Sequence, residues 1–147
     1  MDAGNESLMY SYFLEWFEGK WDNQQEAYSN PRGQSHVIVN HERVGPGEFR
    51  CTYRYKRSVH PYRDYTIKVL NNDGNVLVEN GDITLTWKLE SGIFVCKSCI
   101  WRDDILYDTE AYLGEKFYVI ADRGLRDGHD LLWGLPKGEF YNFQKKS

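Results

Sequence analysis

The strongest constraint on the fold is a two-residue alternation of apolar and polar side chains in the middle of the chain. In residues 83–90, ITLTWKLE, the alternation is unbroken, and residues 49–56, FRCTYRYK, repeat it with aromatic and basic side chains. Successive side chains of a β-strand point to opposite faces, so this pattern is typical of strands with one packed and one wet face. It predicts a chain built mainly from antiparallel β-sheet.

Turn signals separate these runs at short intervals, among them Gly45-Pro46-Gly47 and Asn80-Gly81-Asp82. Tight turns between alternating segments indicate successive hairpins. About ten short strands in such a meander favour a closed barrel, since closure removes exposed strand edges. The prediction is one domain over residues 1–147, with the barrel from about 35 to 144. Besides the two runs above, its strands are expected at 36–43, 62–70, 76–79, 93–101, 105–112, 116–121, 131–133 and 139–144.

One helix is predicted, over about residues 7–18. Leu8, Tyr12 and Trp16 recur at the helical spacing, and Met9, Phe13 and Phe17 widen the same stripe. Ser7 is suited to capping its start, and Gly19 to ending it. Two uses of this stripe are open: it covers the barrel, or it pairs two copies of the chain into a homodimer.

The composition narrows the classes of function. The 147 residues carry a net charge of −4, which gives no basic bias towards nucleic acid. No apolar run reaches the ~20 residues of a spanning helix, so no membrane insertion is predicted. Three cysteines and the absence of a signal-peptide pattern predict a cytoplasmic protein. With 5 Trp, 11 Tyr and 7 Phe, the chain suits either strands with one apolar face or a pocket for a flat ligand.

Motifs for metal or covalent catalysis are sparse. Cys96 and Cys99 have C-x-x-C spacing but fall within a predicted strand, where their odd separation sends them to opposite faces. The four histidines lack ligand spacing, and no nucleophile elbow, phosphate loop or dinucleotide fingerprint occurs. We therefore predict no metal site and no intrinsic cofactor.

Aromatic and basic residues alternate in residues 53–57, YRYKR, and again in residues 60–65, HPYRDY. Cross-strand cation–π packing on the surface is one explanation. The other is a site for a flat, conjugated ligand that carries carboxylates, with rings for stacking and arginine for a charge-assisted pair. The residues alone do not choose between them.

A charged turn followed by a Trp-Gly pair, residues 122–134, is the most distinctive stretch of the chain. With Gly138 and Phe140, its Asp122-Arg123-Gly124, Asp127-Gly128 and Trp133-Gly134 resemble the D-R-G … W-G-x-x-x-G-x-F ending of the T-type phycobiliprotein lyases. Residues 19–27, GKWDNQQEA, are similar to a segment of the same family, as are Tyr62-Arg63 and residues 92–96. The matches run in the family's order along nearly the whole chain.

The resemblance implies a calycin or lipocalin-like antiparallel β-barrel that binds a linear tetrapyrrole, phycoerythrobilin or phycocyanobilin. Members of this family deliver the bilin to a cysteine of a phycobiliprotein β subunit, where a thioether forms. The chain is shorter than typical cellular members, and short relatives are associated with viruses of cyanobacteria.

The resemblance also suggests roles for individual residues. Asp122 is expected to accept hydrogen bonds from pyrrole N–H groups and is a candidate proton donor, while Arg63 is expected to bind a propionate. Arg123 either orients Asp122, or caps the barrel end by bonding carbonyls of the glycine-rich turn, with Asp122 as its ion-pair partner. Trp133 is expected to pack against the bilin rings or to close the barrel end. The remaining predicted ligand contacts are Tyr53, Tyr55, Tyr62 and Trp101.

Three functions are compatible with these residues. The first is a bilin lyase, and the second is a bilin carrier that transfers its pigment poorly or not at all. The third is a lipocalin-like binder of another apolar ligand, such as a fatty acid. An aliphatic ligand favours an aliphatic interior, whereas the strands here alternate Tyr, Trp and Phe.

Overall fold

The computed structural model describes residues 3–29 and 35–146 as two helices and eleven strands. The helices are α1 (Ala3–Phe17) and α2 (Gln24–Ser29). The strands are β1 (Gly19–Asp22), β2 (Val37–Gly45), β3 (Glu48–Tyr55), β4 (Arg63–Asn72), β5 (Asn75–Asn80), β6 (Ile83–Glu90), β7 (Ile93–Arg102), β8 (Ile105–Leu113), β9 (Phe117–Arg126), β10 (Asp130–Gly134) and β11 (Tyr141–Lys145).

The strands form a closed antiparallel β-barrel of ten strands, which confirms the predicted fold class. Strands β1 to β8 are paired in sequence order, and β9 closes the barrel by pairing with β8 on one edge. The other edge of β9 is shared: its first half pairs with β11, and its second half pairs with β10. The segment between β10 and β11 therefore interrupts one side of the barrel.

The ten predicted strands are all present, but three local expectations differ from the structure. Helix α1 begins at Ala3, so Ser7 lies inside it and does not cap it. Strand β1 and helix α2 were not predicted, since each is too short to show a clear period. Strand β9 continues to Arg126, through residues 122–126 that the sequence suggested as a turn, and the turn follows at 127–129.

Helix α1 closes one end of the barrel with part of the predicted stripe: Phe13 and Phe17 are buried, whereas Leu8 and Tyr12 are exposed. Phe13 is fully buried, and its ring meets those of Trp87 and Phe94 edge-on at 5.3 and 5.1 Å between centroids. The Tyr10 hydroxyl donates a hydrogen bond to the Val69 carbonyl at 2.8 Å. Each such aromatic pair adds about 0.5–1.5 kcal/mol beyond the area it buries. This end of the barrel is consequently a packed core, and any ligand site lies towards the other end.

His41 is a buried polar residue in this core. Its ring stacks on Phe17 at 3.8 Å between centroids, and its Nδ1 lies 2.8 Å from the Phe17 carbonyl oxygen. Burial lowers the pKa of His41 from 6.5 to about 3, with the Phe17 hydrogen bond opposing and the charge of Lys145 adding to the effect. The imidazole is therefore neutral at physiological pH and donates Nδ1–H to Phe17.

The buried, neutral His41 predicts a loss of stability in acid that begins near pH 6.5, above the pH range in which carboxylates usually titrate. Because the folded pKa lies below the unfolded value, the unfolded chain binds a proton that the folded chain excludes, and stability falls as pH drops from 6.5 towards 3. Between pH 7 and pH 5 the free energy of unfolding should fall by about 2 kcal/mol from this residue. Urea unfolding at several pH values measures it.

The matched variants are His41→Asn, which keeps an amide donor but does not titrate, and His129→Asn at an exposed site. His41→Asn should flatten the pH dependence between pH 7 and pH 5, whereas His129→Asn should leave it in place. An equally steep slope in His41→Asn would contradict this account of the core.

Candidate functional site

A cavity of about 550 Å³ lies near the end of the barrel away from α1. Six of the eight residues predicted from the sequence line it, contributed by β3, β4, β9, β10 and the chain just before β4. The lining residues are Tyr53, Tyr55, Tyr62, Arg63, Ile120, Asp122, Trp133, Gly134, Leu135 and Tyr141.

The charged centre of this cavity is an ion pair between strands β4 and β9. Arg63 Nη2 donates to Asp122 Oδ2 at 3.2 Å, and Thr109 Oγ1 donates to Asp122 Oδ1 at 3.4 Å. The guanidinium lies over the rings of Tyr53 and Tyr65, 5.1 and 5.6 Å from their centroids. Arg63 is thus fixed by cation–π contacts while its side chain remains 38% exposed. The sequence suggested both residues but did not suggest that they bind each other.

Tyrosines form one wall of the cavity. Tyr55 and Tyr62 stack with their centroids 4.5 Å apart, and Tyr62 also contacts Tyr53 at 6.3 Å. Burial raises the pKa of both Tyr53 and Tyr62. Both phenols therefore stay neutral at physiological pH, so the wall offers flat apolar faces together with hydroxyl donors.

A second, narrower space of about 240 Å³ adjoins the first. Arg63, Asp122 and Trp133 line both, so the ion pair stands at the junction of the two. The narrower space is otherwise lined by Asn80, Ile83, Leu85, Ser98, Ile100, Tyr107 and Thr109. An elongated ligand that occupied both spaces would pass Asp122 near its middle.

The glycines of the distinctive C-terminal motif shape this junction. Trp133 stands opposite Gly124 in the β9–β10 pairing, and a Cβ at Gly124 would collide with the indole ring. Gly134 has φ of +90°, and a Cβ there would collide with the Asp122 carbonyl oxygen. These two glycines let Trp133 lie flat against β9, next to Asp122.

Arg123 faces the opposite side of β9 and does not touch Asp122. It is 4% exposed, and its Nη1 donates to Asp108 Oδ2 at 2.8 Å. Its other donors bind carbonyls between β10 and β11: Leu135 at 2.8 Å, and Pro136 and Glu139 at 3.4 Å each. Arg123 therefore caps carbonyls, as one of the two sequence-based alternatives proposed, but its ion-pair partner is Asp108. The expectation that it orients Asp122 is corrected.

Trp101 is the other predicted contact that the structure keeps away from the cavity. Its side chain is 56% exposed and lies against the turn at Gly128. Ser98 and Ile100 on the same strand line the narrower space, so the alternation of side chains along β7 turns Trp101 outward. Tyr141 lines the larger cavity and Thr109 the narrower one, although neither was predicted from the sequence. The same alternation of side chains places both on the inward faces of their strands, β11 and β8.

The C-x-x-C cysteines behave as strand residues. Cys96 is buried and Cys99 is exposed, on opposite faces of β7, and neither is in a disulfide. Among residues 3–29 and 35–146, no group of three or more His, Cys, Asp or Glu side chains is placed to hold a metal ion.

Solved structures with this fold include a T-type phycobiliprotein lyase. CpeT from Prochlorococcus phage P-HM1 matches with a TM-score of 0.79 and 28% identity, over 95% of this chain and 98% of that one. The resemblance to the T-type lyases is confirmed. The CRL protein of Arabidopsis shares the fold at a TM-score of 0.77 and 14% identity, over 96% of this chain and 99% of that one.

No protein-family model matches the sequence, and no curated protein sequence matches it either. In the part of the chain that the structure describes, neither helix has the length and apolarity to cross a membrane.

The close contact between Trp133 and Gly124 predicts that substitutions at these two positions have coupled effects on stability. Gly124→Ala should destabilise the protein by about 1–3 kcal/mol, the usual cost of overpacking, because the added methyl displaces the indole. In a Trp133→Ala background the same change should cost much less, since the colliding ring is gone. Chemical denaturation of the four members of this double-mutant cycle measures the difference. Equal costs in both backgrounds would show that the ring contact does not explain Gly124.

Proposed function

We propose that this protein binds a linear tetrapyrrole in the joined cavities and assists its attachment to a cysteine of a phycobiliprotein β subunit. The similarity to a phycobiliprotein lyase supports the general function. The observation that carries the finer proposal is the Arg63–Asp122 pair, which lines both cavities together with Trp133 and lies beside the tyrosines.

An open-chain tetrapyrrole matches this arrangement in shape and chemistry. It is long and conjugated, and its central pyrrole nitrogens form a row of N–H donors. In the proposed complex these donors face the Asp122 carboxylate, which stabilises the protonated, cationic form of the pigment. Arg63 orients Asp122 through their ion pair, while Tyr53, Tyr62 and Trp133 pack against the rings. A direct contact between Arg63 and a propionate stays a prediction.

The chemistry proposed for attachment needs no nucleophile on this chain. The acceptor cysteine adds across the exocyclic ethylidene double bond of the bilin: sulfur bonds to the ethylidene carbon, the double bond becomes single, and a proton ends on the adjacent ring carbon. No oxidant is consumed. This protein would hold the pigment in one conformation and present one end to the partner, so most of its effect is positioning. Asp122 is the proposed group that holds the proton near the ring system.

Of the alternatives, a fatty-acid binder fits the cavity poorly. Four tyrosines and a tryptophan contribute to the larger space, and an ion pair stands at its centre. An alkyl chain would desolvate the tyrosine hydroxyls and the ion pair without offering them any hydrogen bond, which is costly. A bilin carrier that does not transfer shares the whole site with a lyase, so only a transfer assay separates the two.

Absorption spectra of the protein mixed with phycocyanobilin or phycoerythrobilin test binding. The wild-type protein should red-shift and sharpen the visible band, and Asp122→Asn should remove the shift and weaken binding about 10- to 100-fold, because a charged hydrogen-bond acceptor is lost. Asp64→Asn is the matched control, since Asp64 is also paired with an arginine but lies on the exposed outer face. An Asp122→Asn spectrum identical to that of the wild type would remove Asp122 from the site.

Transfer is tested by mixing bilin, this protein and an apo-phycobiliprotein β subunit, then detecting zinc-enhanced fluorescence on the denatured subunit. A lyase should speed covalent attachment over the rate with bilin alone and direct it to one cysteine. Binding without acceleration would assign the protein as a carrier. If neither bilin binds, the proposed function is wrong.

A further inference from the structure

A third cavity, of about 510 Å³, lies beside the bilin site proposed above, between α2 and the end of β3. We call it the basic cavity. It is lined by Ala27, Tyr28, Ser35, His36, Tyr55, Lys56 and Arg57. Nothing in the proposed chemistry of the bilin rings uses it.

Two cations that form no ion pair line the basic cavity. Lys56 and Arg57 are exposed, and within residues 3–29 and 35–146 neither forms an ion pair. The lining residues include no carboxylate, and the nearby Asp22 lies beside His36. Two unpaired cations suit a ligand with two negative charges.

The larger cavity, where the bilin rings are proposed to bind, has no net charge among its lining residues. Its lining residues include one cation, Arg63, and one anion, Asp122, and these neutralise each other at 3.2 Å. Carboxylates placed there would meet Asp122 as well as Arg63. Two carboxylates on a ligand consequently gain more attraction in the basic cavity than beside the ion pair.

Tyr55 connects the two cavities, since it lines both. It is stacked on Tyr62 and is 46% exposed, so a ligand whose rings pack on this tyrosine wall can extend side chains past the edge of Tyr55. His36 adds a polar group in the basic cavity. Its Nε2 is 3.6 Å from Asp22 Oδ2, too far for a hydrogen bond, and has no other partner among the described residues.

As an alternative to the predicted contact with Arg63, we propose that the basic cavity binds the two propionate groups of the tetrapyrrole, with Lys56 and Arg57 as their partners. This inference rests on the proposed function and deepens it. It assigns the acidic side chains of the ligand to the basic cavity and the pyrrole nitrogens to Asp122. The propionates and the pyrrole N–H groups then each meet protein groups of the opposite charge.

Comparing phycocyanobilin with its dimethyl ester, which has the same rings without the two charges, tests the inference. The double variant Lys56→Gln/Arg57→Gln should bind the free acid about tenfold more weakly than wild type, with a reduced dependence on salt, since exposed ion pairs contribute modestly. It should bind the ester within about twofold of wild type, because the ester makes no charge pair there. Spectral titration gives both dissociation constants.

The matched control is Lys88→Gln/Lys97→Gln, which removes two cations from a surface cavity on the outer face of β6 and β7. It should leave both affinities unchanged. The inference is overturned if Lys56→Gln/Arg57→Gln binds the free acid as tightly as wild type, or weakens acid and ester equally. It is also overturned if binding is unchanged while transfer to the β subunit slows, since the cations would then serve an acidic partner surface. Failure of the wild type to bind either pigment would instead remove the proposed function itself.

Discussion

Strand β9 is the constraint on which both the fold and the site depend. It closes the barrel by pairing with β8, and its other edge is divided between β10 and β11. Its two adjacent charged residues point to opposite sides: Asp122 faces the cavity, and Arg123 faces outward beneath the segment that joins β10 to β11. One strand therefore positions the carboxylate at the centre of the cavity and holds the segment that completes its wall.

The proposed ligand binding accounts for the Arg63–Asp122 pair better than a contribution to stability does. A partly exposed ion pair contributes little to folding, and apolar residues in the same place would pack at least as well. By contrast, the charged residue with a clear structural role, Arg123, is almost fully buried, and its donors are used on Asp108 and three carbonyls. The two neighbouring arginine–aspartate pairs thus differ in what they contact. The Arg123–Asp108 pair holds the backbone between β10 and β11, and the Arg63–Asp122 pair keeps donors and acceptors facing a cavity.

Much of this structure could be predicted from the sequence because the barrel is built from regular alternation. All ten predicted strands exist, and six predicted ligand contacts meet in one cavity. The errors have physical causes. Residues 122–126 were predicted as a turn because they contain glycine and charged residues. In the structure they belong to strand β9, which packs on both faces and therefore lacks the apolar–polar alternation of a strand with one wet face. Trp101 was predicted as a ligand contact, but its position in strand β7 turns its side chain outward. Which arginine pairs with which aspartate depends on contacts between distant strands, and no local pattern encodes them.

The proposed function requires Asp122 to bind the pyrrole nitrogens of an open-chain tetrapyrrole. A crystal structure of the protein with phycocyanobilin would show this contact. We expect pyrrole nitrogens within about 3.2 Å of the Asp122 carboxylate oxygens, a normal hydrogen-bond distance, with the rings against the tyrosine wall and Trp133. A pigment bound elsewhere, with the Arg63–Asp122 pair untouched and the cavity empty, would contradict it.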